Sequence, residues 1–167
     1  VDYQNPTYAK LYIDRMGEIL AIDRERGGER NSWAITVETG RYLALMMSYE
    51  DIIRVADLKS RRSRMDRVRA EVLAKPDEPI RVTEFLKPGF DEITSVMPSW
   101  LGRPIMNWAR GNKWASNYNF AMRVRTNTIN GFLRLWALSK LRFYRHRTYR
   151  YGEEQKAIGA WLDTVMN

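Results

Sequence analysis

The residues best placed to do chemistry are the charges between Glu50 and Arg61. Glu50, Arg54, Asp57 and Arg61 follow one another at four, three and four residues. Each neighbour is opposite in sign, so on a helix each can meet the next. With Asp51 and Lys59 alongside, the flank Glu50, Asp51, Arg54, Asp57 and Lys59 reads as a contact surface. Charged pairs beside an apolar stripe fix docking orientation and discriminate partners more than they add affinity. The plain alternative is a solvated helix flank, where each pair contributes only about a few tenths of a kcal/mol.

Catalytic machinery is hard to find. His146, the one histidine, stands between Arg145 and Arg147 and reads as a solvated surface residue, since a metal site needs several convergent ligands. Glu50-Asp51 and Glu153-Glu154 are adjacent carboxylates, and neighbours on a helix point about 100° apart, so neither pair converges on one bond or one metal. There is no glycine-rich phosphate loop and no serine elbow. No cysteine is present, which excludes disulfides, thiolate nucleophiles and cysteine-ligated clusters from this chain. No catalytic, cofactor-binding or metal-binding residue is assigned.

Two basic clusters remain. Lys59, Arg61, Arg62, Arg64, Arg67 and Arg69 scatter around a continuous helix at 100° per residue, which favours plain solvation. Arg134, Lys140, Arg142, Arg145, Arg147 and Arg150 interleave with Tyr144, Tyr149 and Tyr151. That pattern could stack bases while arginines track phosphates; the simpler reading has the tyrosines anchoring a turn and the arginines facing water. Trp100, Trp108 and Trp114 with Arg103, Arg110 and Lys113 pose the same choice between a partner surface and core packing.

The elements that must position these residues are helical. Asn5 and Pro6 start a first helix, whose stripe is Tyr8, Leu11, Tyr12, Met16, Ile19 and Leu20. Gly27-Gly28 stops it, because glycine readily takes the left-handed conformation. Asn31 or Ser32 caps a long second helix running to about Ala74, with a break near Gly40 or Ser60 an open alternative. In it Tyr42, Leu45, Met46, Tyr49, Ile52, Ile53 and Ala56 form one apolar face. Ile80 to Leu86 reads as a short strand or an extended crossing segment, and Phe90 to Met97 as a short helix. The stretch 99–125 reads as irregular, holding one short helix from Ile105 to Arg110. A central helix follows Asn127 or Thr128, with Ile129, Phe132, Leu133 and Trp136 on one side and Leu135, Leu138 and Leu141 widening the surface. The last helix, from about Arg150 to Met166, repeats Ile158, Trp161, Leu162 and Val165. The expected fold is mainly all-α, a multi-helix bundle forming one domain over 1–167.

A net charge of +8 favours acidic partners: a protein's acidic face, a phosphate-bearing ligand or nucleic acid. No run approaches 18 apolar residues, and the N-terminus lacks a signal-peptide layout; the expectation is a cytoplasmic protein with no membrane contact. The chain begins at Val1 and reads as a piece excised from something longer, or as a processed product.

Ser48 to Lys59, followed by Arg64-Met65-Asp66-Arg67-Val68-Arg69, resembles the C-terminal helical region of bacterial indolepyruvate ferredoxin oxidoreductase subunits. Val82 to Pro88, Leu101-Gly102-Arg103, and Tyr151 to Gln155 on to Trp161-Leu162 extend the likeness over most of the chain, with Asn107 to Val124 carrying the least of it. The resemblance implies a parent that oxidatively decarboxylates aryl pyruvates using thiamine diphosphate, iron–sulfur clusters and coenzyme A, and passes electrons to ferredoxin. The family's thiamine-binding motif, cluster cysteines and glycine-rich ketoacid-oxidoreductase segment are not in this sequence. The resemblance therefore implies a non-catalytic accessory domain that packs against, or assembles, catalytic domains or subunits. The alternative is a basic module that binds an anionic ligand such as coenzyme A; nucleic acid is the weaker form of that reading.

Overall fold

A computed structural model describes residues 2–112, 115 and 118–167. As the periodicity predicts, the chain is mainly helical. In order, the described elements are α1 (Pro6–Glu25), α2 (Ala34–Met47), α3 (Ile52–Ser60), α4 (Arg62–Glu71), β1 (Thr83–Leu86), α5 (Phe90–Ser95), α6 (Ser99–Arg110), β2 (Met122–Arg125), α7 (Ile129–Lys140) and α8 (Tyr149–Met166). Short 3₁₀ turns occupy Gly28–Asn31 and Leu141–Arg147. The chain divides into two compact units: Val1–Tyr49 with Tyr151–Asn167, and Glu50–Arg150.

The first unit packs α1, α2 and the part of α8 from Tyr151 onward around Ile19, Leu43, Met47, Ile158 and Leu162. Asn5 caps α1 by accepting from the Tyr8 N–H at 2.8 Å, with Pro6 at the first helical position. Past the helix end, Gly27 takes φ +83°. Polar ties then fix the register: the Tyr8 hydroxyl donates to the Met47 carbonyl at 3.0 Å and accepts from Gln155 Nε2 at 3.1 Å. Buried Asp23 accepts from the Thr36 N–H and hydroxyl at 3.0 and 2.7 Å. The second helix starts later than expected, because Ser32 and Trp33 both take left-handed backbone angles and Asn31 lies in the 3₁₀ turn.

The expected long second helix is three helices. Asp51 is extended and caps α3, its Oδ1 accepting from the Arg54 N–H at 2.6 Å. The anticipated break near Ser60 is present, at extended Arg61. None occurs at Gly40, which lies buried within α2. The apolar face read as one stripe therefore belongs to two helices: Tyr42 and Leu45 are exposed on α2, while Ile53 and Ala56 are buried in α3. The four-residue interruption kept the spacing nearly helical, which is why periodicity alone bridged it.

In the second unit, α3 lies against α7 over Ala56, Val124 and Leu135, with Leu86 and Leu138 packed on them. The segment left open between strand and crossing is β1, paired antiparallel with β2 from Thr83↔Arg125 to Leu86↔Met122. The stretch 99–125 is more regular than expected. α6 starts at Ser99 and runs through Gly102 and Pro104, the helix breakers that made this stretch read as irregular; its buried face is Gly102, Met106 and Ala109. Trp114, Lys113 and Asn117 lie outside the described residues. Thr128 caps α7, accepting from the Gly131 N–H at 3.2 Å while donating to the Arg125 carbonyl at 2.8 Å. This draws β2 so close to the helix that a Cβ on Gly131 would come within 1.8 Å of the Arg125 oxygen.

Two predictions follow from this packing. Gly131→Ala must push β2 from α7 and should destabilise the protein by about 1–3 kcal/mol, read as a lower denaturant midpoint; an unchanged midpoint would refute the close approach. Burial raises the Tyr151 hydroxyl above its ordinary value of 10.0, with Arg15 pulling the other way. The unfolded phenol then ionises first, so stability falls as pH climbs from 10.0 toward the folded value. Tyr151→Phe should flatten that alkaline decline in thermal melts.

Candidate interaction site

Asp51 organises the charges of the second unit. Its carboxylate caps α3 and also receives Arg145, whose Nε donates to Oδ2 at 2.6 Å and whose Nη2 donates to Oδ1 at 3.0 Å. The two side chains are 4% and 1% exposed. Arg145, expected to face water, is instead the most buried cation of its cluster. Its own carbonyl accepts the Thr148 N–H and hydroxyl at 3.0 and 2.7 Å, closing the 3₁₀ turn before α8. Planar, two-pronged pairing is what arginine provides and lysine does not.

The rest of the ladder turns inward as well. Arg54 and Arg61 both pair with Asp57, at 3.1 and 2.6 Å. Lys59 pairs across to Glu84 of β1, which also holds Arg64 of α4. Glu50 is exposed and lies before α3 instead of on it. Of the five residues read as a contact flank, Asp51, Arg54, Asp57 and Lys59 are thus engaged within the unit. The first basic cluster does not scatter as a continuous helix would require: the bend at Arg61 brings Lys59, Arg61, Arg64 and Arg67 to line one recess with Glu50. His146 is exposed, and among the described residues no three His, Asp or Glu could hold a metal ion. The chain offers no thiolate to an iron–sulfur cluster.

Two surfaces of the unit carry unsatisfied chemistry. The first is the outer side of α7. Leu135 and Leu138 face α3, and the residues read on the other side of the helix are exposed: Ile129 is 80% exposed, Trp136 45%, and Phe132 and Leu133 are exposed beside them. Phe143 in the following turn is exposed too, and Lys140 Nζ stands 5.2 Å from the Trp136 ring centroid. A helix apolar on both sides normally has neighbours on both sides.

The second surface is a cleft of about 770 Å³. Its floor is apolar: Ile52, Val55 and Ala56 of α3, Leu86 of β1, Val124 of β2, and Leu135 and Leu138 of α7. Lys87, Arg134 and Arg150 line it with the carboxylates of Glu50, Asp51, Asp91 and Glu92. Glu92 is partly occupied, accepting the Gly89 N–H at 2.8 Å.

Both surfaces lie in a strongly basic field. The unit Glu50–Arg150 has twenty-one Lys and Arg against ten Asp and Glu, and no carboxylate occurs from Ile93 to Gly152. That acid-free run is the sequence signal that marks this face, and it extends well beyond the cluster starting at Arg134.

The model of a family of unknown function, DUF6537, matches residues 1–167. The chain belongs to this family. No curated protein and no solved structure matches it. No helix among the described residues is long and apolar enough to cross a membrane.

The Asp51–Arg145 pair is directly testable. Asp51→Ala leaves a buried guanidinium uncompensated and should destabilise by about 3–5 kcal/mol. Combining Asp51→Ala with Arg145→Met should recover much of that loss, because it removes the stranded charge as well. A double-mutant cycle of urea denaturation measures the coupling, and strictly additive effects would rule the pair out as the organiser.

Proposed function

We propose that this chain is a non-catalytic helical module that docks onto the catalytic domains or subunits of a larger enzyme through the outer face of α7. The parent in this reading is an indolepyruvate (aryl pyruvate):ferredoxin oxidoreductase, on the strength of the sequence resemblance. There thiamine diphosphate, iron–sulfur clusters and coenzyme A belong to the partner domains, and ferredoxin is the electron acceptor of the whole enzyme.

One observation carries the docking role: Ile129, Phe132, Leu133 and Trp136 form an apolar stripe at i, i+3, i+4 and i+7 and are exposed, while the opposite side of the same helix is covered by α3. Aromatic anchors flanked by arginine and lysine are the usual composition of binding hot spots. Lys140 stands over the Trp136 ring, and no acid occurs from Ile93 to Gly152, so the complementary surface is an apolar ridge with an acidic border. The contact is placed here and not on the Glu50–Lys59 ladder, because four of those five residues already have partners inside the unit. The ladder then serves to hold α3, and through it α7, in position.

Leu133→Ser with Trp136→Ser should leave the melting temperature within a few degrees of the parent protein, since both side chains are exposed. The same variant should lose co-purification with the catalytic subunits; a loss of about 2 kcal/mol per hot-spot aromatic weakens binding more than tenfold. Retained assembly would reject α7 as the contact.

A further inference from the structure

The outer side of α2, in the first unit, carries a pattern that complements itself. The inner side is buried at Thr39, Gly40, Leu43 and Met47, with Leu43 and Met47 in the core beside Ile19. Opposite them on the helix run Ala34, Glu38, Arg41 and Leu45, at i, i+4, i+7 and i+11, all exposed. Leu45 is 68% exposed, and Val37, Tyr42 and Ile35 are exposed on the two shoulders of this stripe. We propose that the face is a homodimer contact, in which α2 pairs antiparallel with α2 of a second copy.

Charge names the occupant. Glu38 and Arg41 are the only charged residues of α2, one of each sign, and they sit at the middle of the stripe. In the free chain they pair with each other at 2.8 Å, both more than half exposed. An ion pair so exposed contributes little by itself, so it exchanges partners readily. An antiparallel dyad between Thr39 and Gly40 places Glu38 opposite Arg41 of the second copy, and Arg41 opposite Glu38. A parallel arrangement would set like on like, so charge chooses the antiparallel one. A face with one acid and one base favours neither an acidic nor a basic partner, whereas a copy meets both charges.

Shape follows the same dyad. Leu45 falls opposite Ala34 of the copy, large against small, at both ends of the stripe. On the shoulders Tyr42 comes beside Ile35 of the copy, and Val37 beside Ala44. The wider field permits the contact, because the first unit holds seven Lys and Arg against ten Asp and Glu. The second unit, with twenty-one against ten, would repel its own copy. Isologous pairing of this kind is the commonest way identical chains associate. Fourteen residues of helix span about 21 Å. The interface is therefore small, and the dissociation constant should be on the order of 10–100 µM.

Sedimentation velocity of the full chain, run from well below that concentration to well above it, is the test. The weight-average mass should climb from 19.7 kDa toward twice that value. Arg41→Glu gathers carboxylates around the dyad and should raise the dissociation constant about tenfold or more. Glu38→Arg should do the same with cations. Mixed together, the two variants should associate again, since each then faces opposite charge. Glu38→Arg with Arg41→Glu in one chain should also restore the dimer, and it decides the matter should a single variant fail to fold. Trp136→Ser, on the α7 stripe, should leave the dimer unchanged, which separates this contact from the docking face. A monomeric mass at every concentration, indifference to Arg41→Glu, or no association of the mixed variants would each overturn the proposal. So would loss of the dimer in Trp136→Ser.

Discussion

A single buried carboxylate sets much of the second unit. Asp51 ends one stretch of chain, begins α3, and grips Arg145, which lies 94 residues away in sequence. Fixing two such distant segments costs conformational entropy that the pair's own attraction barely exceeds once both charges lose their water. Its value is therefore in specification. The two-pronged geometry admits one orientation of α3 relative to the turn before α8. With Asp51 on the cap, the Arg54 N–H is satisfied and the helix can start nowhere else.

The ladder on α3 and α4 extends the same logic outward. Glu84 stands on β1 with only 12% of its side chain exposed and meets cations from two helices, Lys59 and Arg64. Asp57 does the same for Arg54 and Arg61 within and just beyond its own helix. Each acid bridging two bases offsets the repulsion that four clustered cations would otherwise generate around the bend at Arg61. Charges with spacing suited to a partner can thus be used internally, and spacing alone does not distinguish the two uses.

Several helix ends were legible from their cap residues: Asn5-Pro6, Gly27 and Thr128 behave as their chemistry requires, whereas Asn31 and Ser32, read as a cap, belong to a 3₁₀ turn and its left-handed exit. What the sequence left obscure has physical causes. The break at Ser48–Asp51 preserved apolar spacing, so two helices read as one. Gly102 and Pro104 both lie inside α6, so only the half of this twelve-residue helix from Ile105 onward was read as helical. Arg145 looked like every other arginine of its cluster, because burial of a cation depends on a partner far away in sequence. Of the five residues first read as a contact flank, Asp51 proved central to the fold, while the cleft lining is gathered from α3, both strands and α7 and has no linear signature.

Hydropathy shows α7 to be apolar on two sides and does not choose between them. Ile129, Phe132, Leu133 and Trp136 are larger and more regularly spaced than Gly131, Leu135 and Leu138. Packing selects differently: Gly131 is needed where β2 approaches the helix, and only the side that carries it can face inward. The bulkier stripe is displaced to the surface by that steric requirement. Exposed large apolar groups in a coherent row are unfavourable in water unless another surface covers them. α7 thus meets its structural role with its smaller face, and its larger one stays exposed within a unit rich in basic residues.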